Sequence, residues 1–170
     1  MCSSDLLEKE KPDLVYVATL LDTHAQLSID ALKSGCHVIC EKPMARTLEE
    51  CQAMTDASKS ARKHLFVNFE MRLYPYIRQL RQWIDDGKLG RVEAIHLHHL
   101  WDGHKTQGPM GERRKRLMDH SGGLDCGIHK LDLGRFLGAD SSWRGLHAMG
   151  AWYGEAFHFP PRIVVLGRLE

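Results

Sequence analysis

Short apolar runs alternate with amphipathic stretches through the first half of the chain. Residues 13–19 (DLVYVAT) are apolar and β-branched, the pattern of a buried parallel strand. Asp22 or Thr23 is placed to cap a following helix, and Ala25, Ile29 and Leu32 recur at i, i+4 and i+7 as its apolar stripe. Gly35 falls at the C′ position, where a left-handed residue ends a helix. Residues 37–40 (HVIC) predict a second strand. Thr47 and Glu50 form a capping box for a helix reaching about residue 63. Residues 64–69 (HLFVNF) predict a third strand, and Pro75 suits the first turn of a further helix, with Ile77, Leu80 and Ile84 as its stripe and Gly87 as its stop. Three alternations of strand and helix predict an α/β architecture with parallel strands.

The character changes from Arg91. Residues 91–101 form a longer extended run, followed by a polar loop over 102–120 that carries Arg113, Arg114, Lys115 and Arg116. A helix is expected over 124–137, and extended segments near 143–153 and 162–169. The expected domain boundary lies near 87–91, giving domains 1–88 and 89–170. No repeat, low-complexity tract or Pro/Gly-rich linker interrupts the chain. It reads as incomplete at both ends: no GxGxxG turn, with which a doubly wound nucleotide domain normally opens, precedes Asp13, and the last residues run into an apolar, strand-like segment (IVVLGRLE).

Composition narrows the function classes. The 170 residues carry 23 Lys+Arg against 22 Asp+Glu, so no global field draws the chain to nucleic acid or an anionic membrane. The apolar runs are too short to span a bilayer, and residues 1–10 lack the apolar core of a signal peptide. Five cysteines with no CxxC pair read as reduced thiols in a cytoplasmic protein.

Two segments carry candidate chemistry. Glu41, Lys42 and Pro43 directly follow the HVIC strand, at the kind of strand end where open α/β sheets place ligands. A lysine there can hold a substrate hydroxyl or sit against a nicotinamide ribose; the bland alternative is a solvated ion pair in a turn. In the second segment (GGLDCGIHKLD), Asp125 and His129 are i, i+4 on the expected helix, with Asp132 extending that face and Leu124, Ile128 and Leu131 on another that packs. A histidine beside a carboxylate can accept a hydroxyl proton near neutral pH, and such a pair can also do no more than stabilise its helix. No spacing among His96, His98, His99 and His104 fits a structural zinc site, so they read as polar lining of a cleft, and no metal is expected. The Arg113–Arg116 run reads as a solvated loop. Trp83, Trp101, Trp143 and Trp152 read as core or interface residues, and nothing near Cys126 marks it as a nucleophile.

Together, the stretches VATLLDTHAQLSIDALKSGCHVICEKPMARTLEE, FEMRLYPYIRQLRQWIDDGKLGRV and SGGLDCGIHKLDLGRFLG resemble the Gfo/Idh/MocA family, over about residues 13–140. The resemblance implies the C-terminal half of a Rossmann-type doubly wound parallel sheet, followed by the start of an α/β open-sheet substrate domain. It also implies NAD or NADP as cofactor and hydride transfer at a carbinol carbon of a sugar, polyol or related compound. Lys42 matches the lysine that orients substrate near the nicotinamide, His129 the proton acceptor or donor, and Asp125 the aspartate that tunes it. Thr19, His24 and Glu41, with Lys42, match positions lining the cofactor, and Arg72 and Pro75 match an architectural R-x-x-P. Leu20 and Glu70 depart from the family, which usually has Pro and often Asn or Gln there. A homo-oligomer is expected, with no nucleic-acid or membrane partner. The competing readings are a non-catalytic fragment and the family's NAD-dependent glycosidase or lyase chemistry.

Overall fold

The computed structural model describes residues 3–98, 126–138, 143–151 and 162–169. The chain divides into two compact units, Met1–Asn68 and Phe69–Glu170.

The first unit runs α1 (Ser3–Glu10), β1 (Leu14–Val17), α2 (Leu21–Lys33), β2 (His37–Glu41), α3 (Leu48–Ala61) and β3 (Leu65–Asn68). The strands are parallel in the order β1-β2-β3, with Val17 beside Cys40 and Glu41 beside Asn68, as the alternating pattern predicts. Helix α1 has no counterpart in the sequence pattern: over residues 5–10 Leu7 alone is buried, too little for a periodic stripe. Strand side chains alternate between two faces. Val17, Val38 and Cys40 point into a core shared with Leu7, Ala31, Leu32, Cys36, Ala45 and Met54. On the other face Leu14, Tyr16 and Phe66 are 51%, 52% and 56% exposed.

Helix α2 departs from its expected start. It begins at Leu21, and the N-cap Leu20 offers no side-chain bond. Asp22 and Thr23 therefore lie inside the first turn, where the Thr23 hydroxyl donates to the Leu20 carbonyl (2.8 Å) rather than capping. The buried face is also rotated: it holds Leu21, His24, Ser28, Ala31 and Leu32, while Ala25 and Ile29 are half-buried. Polar His24 belongs to the interior because carbonyl groups meet its ring there, which a hydrophobic count does not detect. The helix end follows the expected pattern. Gly35 has φ +86°, its N–H donates to the Leu32 carbonyl and the Cys36 N–H to that of Ala31, both at 3.0 Å, a Schellman closure that needs the left-handed residue.

Thr47 caps α3 as predicted, accepting the Glu50 N–H at 3.2 Å. The Glu50 carboxylate also reaches one residue further back, to the Arg46 N–H at 2.9 Å.

In the second unit, a 3-10 turn (Glu70–Leu73) leads into α4 (Pro75–Asp85), which has Pro75 in its first turn. Helix α5 (Ile128–Leu137) follows, then β4 (Trp143–Ala151) and β5 (Arg162–Leu169), paired antiparallel. The apolar run at 162–169 thus has a strand partner. A register shift between Arg144 and Leu146 coincides with Gly145 at φ +68°, a bulge that favours glycine. The division at Asn68/Phe69 places α4 in the second unit, whereas the sequence pattern grouped it with the first. Ile77, Leu80 and Ile84 share a face of α4 but are half-buried. Residues 91–98 form no strand, and His96 and His98 are exposed; the rest of that expected run lies outside the described residues. Among the described residues, no helix is long and apolar enough to cross a membrane, and Cys36, Cys40, Cys51 and Cys126 form no disulfide.

Candidate active site

In the first unit, the groups singled out from sequence collect at the C-terminal ends of the strands. Glu41 closes β2, and its carboxylate is held from three directions. The Tyr16 hydroxyl of β1 and the Asn68 amide of β3 (2.7 Å) both donate to Oε1, and the Lys42 N–H donates to Oε2 at 3.2 Å. The Asn68 amide also lies 3.1 Å from the Tyr16 oxygen. Burial pushes the Glu41 carboxyl upward, but these hydrogen bonds and the Lys42 charge outweigh it, leaving the group below the usual carboxylate range. The three strands therefore present a fixed, ionised acceptor at their shared edge.

Lys42 is half-buried, and its peptide bond to Pro43 is cis. His24 does not face outward. It is 2% exposed, with Nδ1 2.9 Å from the Pro43 carbonyl oxygen and Nε2 3.3 Å from that of Thr19. Its ring ties the turn after β2 to the end of β1. Thr19 is exposed, and its hydroxyl lies 2.7 Å from that of Thr23, to which it donates because the Thr23 proton goes to the Leu20 carbonyl.

The second unit holds His129, on the first turn of α5 and 7% exposed. Its Nε2 lies 3.7 Å from Glu70 Oε1, and the Phe69 ring meets it edge-on at 6.4 Å. Asp132, one turn on, is also 7% exposed and is gripped by Arg72 through two contacts of 2.8 and 2.6 Å. Arg72 and Arg81 both lie over the Phe136 ring, at 5.0 and 5.6 Å. The buried face of α5 accordingly contains His129, Asp132, Leu133 and Leu137, with Ile128 and Leu131 only half-buried. This differs from the apolar stripe expected there, because the ion pair draws the polar side inward.

Asp125, His99, His104, Trp101, Trp152 and the Arg113–Arg116 run lie outside the described residues. Among the described residues, no group of His, Cys, Asp and Glu is arranged to hold a metal ion. Trp83 is 42% exposed. Burial raises the Cys36, Cys40 and Cys51 thiols, the opposite of what a nucleophile needs. Sequence reasoning missed Tyr16 and Asn68; the signal was available, since both share one sheet face with Glu41 once the strands are set in register.

The parallel sheet with its polar strand ends defines a Rossmann-type α/β protein. Residues 3–69 match the family model "Oxidoreductase family, NAD-binding Rossmann fold", and residues 77–158 match the "GFO/IDH/MocA C-terminal domain". The chain belongs to the Gfo/Idh/MocA oxidoreductase family. Among curated relatives, it is 35% identical to a levoglucosan dehydrogenase of Pseudarthrobacter phenanthrenivorans, over 75% of this chain and 34% of that protein. It is 34% identical to a 1,5-anhydro-D-fructose reductase of Ensifer adhaerens, over 74% of this chain and 37% of the relative. Among solved structures, an oxidoreductase domain protein from Kribbella flavida superposes with a TM-score of 0.78 at 28% identity, covering 98% of this chain and 48% of its own. An inositol dehydrogenase homolog from Azotobacter vinelandii, solved with NADH and myo-inositol, has a TM-score of 0.80 at 23% identity, over 98% and 45%; this second likeness speaks for the fold. The chain spans about a third of the length of these curated relatives.

Proposed function

We propose that this chain carries the nicotinamide-edge and proton-transfer residues of an NAD- or NADP-dependent oxidoreductase acting on sugars, polyols or related compounds. The observation that carries the reading is the Glu41 carboxylate, fixed by Tyr16, Asn68 and the Lys42 N–H at the C-terminal edge of a parallel sheet. That edge is where open α/β sheets hold nucleotides. The residues present suit the nicotinamide–ribose end of a dinucleotide: an ionised acceptor for ribose hydroxyls, the exposed Thr19 hydroxyl and the Lys42 side chain. The 170 residues contain no GxGxxG sequence of the kind that cradles a pyrophosphate.

When bound, the cofactor supplies the carbon that exchanges hydride with a carbinol. The protein's own part is orientation and proton management. His129 takes the hydroxyl proton during oxidation and returns it during reduction. Lys42, at the sheet edge of the first unit, orients substrate near the nicotinamide and offers positive charge to developing alkoxide. Glu41 fixes the turn that carries Lys42, and His24 braces it from below through the Pro43 carbonyl. The carbohydrate-directed names of the two curated relatives support a cyclic sugar or polyol as the substrate class.

The test is NAD(P)-dependent oxidation of a panel of cyclic sugars and polyols, comparing His129→Asn and Lys42→Met with the parent. Turnover is expected to fall by roughly 10²–10⁴-fold in each, the usual range for losing a general acid–base group, with NADH affinity unchanged in His129→Asn. Parent-level turnover in His129→Asn would remove that residue from the mechanism.

A further inference from the structure

We propose that Glu70 is a positioning residue for His129: its carboxylate faces the imidazole and stabilises the imidazolium formed when His129 accepts a proton. This rests on the proton-acceptor role proposed for His129. The geometry lies within the second unit. The 3-10 turn that follows Phe69 sets Glu70 Oε1 3.7 Å from Nε2 of His129, an ion-pair distance longer than a hydrogen bond. The imidazole side chain is 8% exposed and the glutamate side chain as a whole 39% exposed. Its other oxygen, Oε2, is buried and has no hydrogen-bond partner among the described residues. A carboxylate oxygen withdrawn from water without a donor is costly, and a cation on the adjacent ring offsets that cost. The edge-on Phe69 ring leaves less water near the imidazole to screen the attraction.

Among the described residues, Arg72, Lys130 and Arg81 make contacts with other groups. On the same 3-10 turn, Arg72 is forked onto Asp132 of α5. Lys130 of α5 points its Nζ at Met71 Sδ, 3.8 Å away. From α4, Arg81 binds Asp85 and the Phe136 carbonyl. Glu70 faces the ring with a charge that complements its protonated form. In the reaction the proton moves from the substrate hydroxyl to His129, Glu70 remains a carboxylate, and the reverse step returns the same proton.

The experiment follows the His129 ring by NMR against pH in the 170-residue chain, for the parent, Glu70→Gln and Glu70→Asp. Removing the charge in Glu70→Gln is expected to weaken proton binding at His129 by about threefold to tenfold, the low end for an opposite charge at this distance because Glu70 is partly solvated. Glu70→Asp, which keeps the charge, should restore most of it. An unmoved midpoint in folded Glu70→Gln overturns the proposal. Should Glu70→Gln fail to fold, the parent decides. Raising salt from about 0.05 M to about 1 M should lower its His129 midpoint through screening, and a salt-insensitive midpoint overturns the proposal. None of these readouts depends on turnover. A moved midpoint together with full activity in His129→Asn would sink the proton-acceptor reading and leave the Glu70 contact standing.

Discussion

The guanidinium of Arg72 and the carboxylate of Asp132 meet through two parallel contacts, Nε to Oδ2 at 2.8 Å and Nη2 to Oδ1 at 2.6 Å. The pair ties the 3-10 turn to α5, the two elements that hold Glu70 and His129. Its side chains are 30% and 6% exposed, so Asp132 cannot replace Arg72 with bulk water.

Removing either partner strands the other. Breaking a fully buried pair costs about 3–5 kcal/mol, and the exposure of Arg72 reduces this to roughly 2 kcal/mol. Urea unfolding should show that loss for Arg72→Met and for Asp132→Asn. The double variant should be less unstable than the two single losses added together. Strict additivity would mean that the two groups are not coupled.

Gly35 gives a prediction with a different cause. A Cβ added there would meet nothing within 4 Å, so no clash accompanies Gly35→Ala. Its φ of +86° nevertheless penalises any L side chain. The variant should lose about 1–2 kcal/mol of stability, measured as a shift in urea midpoint at constant slope. A neutral Gly35→Ala would mean that the α2 end does not need the left-handed conformation.

Glu41 should make the first unit acid-sensitive. Its carboxyl lies below the ordinary value in the folded state, since the bonds from Tyr16, Asn68 and Lys42 outweigh burial. A lowered folded value means that the stabilisation is complete above the unfolded value and is lost as pH falls through the folded one. Stability measured from about pH 6 down to about pH 3 should fall less steeply in Glu41→Gln than in the parent. Equal slopes would show that Glu41 gains nothing from its three donors.

The fold was readable where local chemistry and periodicity agree. The three parallel strands, the Thr47 cap and the Gly35 stop each follow from a few adjacent residues. The buried face of α2 leaves no apolar trace at His24 and Ser28, which are polar yet interior; the His24 ring lies against the Pro43 and Thr19 carbonyls, one of which its single N–H can bond in the neutral form. The same holds on α5 for Asp132, whose partner Arg72 is 60 residues away in sequence. Pairings across such distances leave no periodic trace. For the candidate site, Glu41, Lys42 and His129 are visible as motif residues, and Glu70 as a departure from the family; the groups that hold Glu41 (Tyr16 and Asn68), and the place of Glu70 beside His129, emerge only when strands and turns are set beside one another.

Reception of a nicotinamide cofactor at the C-terminal edge of the β1-β2-β3 sheet is the proposal on which the other site roles depend. It is tested most directly by titrating NADH into the isotope-labelled chain and following backbone amides by NMR, which detects even millimolar affinity, about −4 kcal/mol. Thr19, Glu41, Lys42 and Asn68 should shift together along one saturating curve, which Lys42→Met should weaken. If those four amides stay fixed up to about 10 mM NADH, a level that would saturate most of a millimolar site, the claim is contradicted.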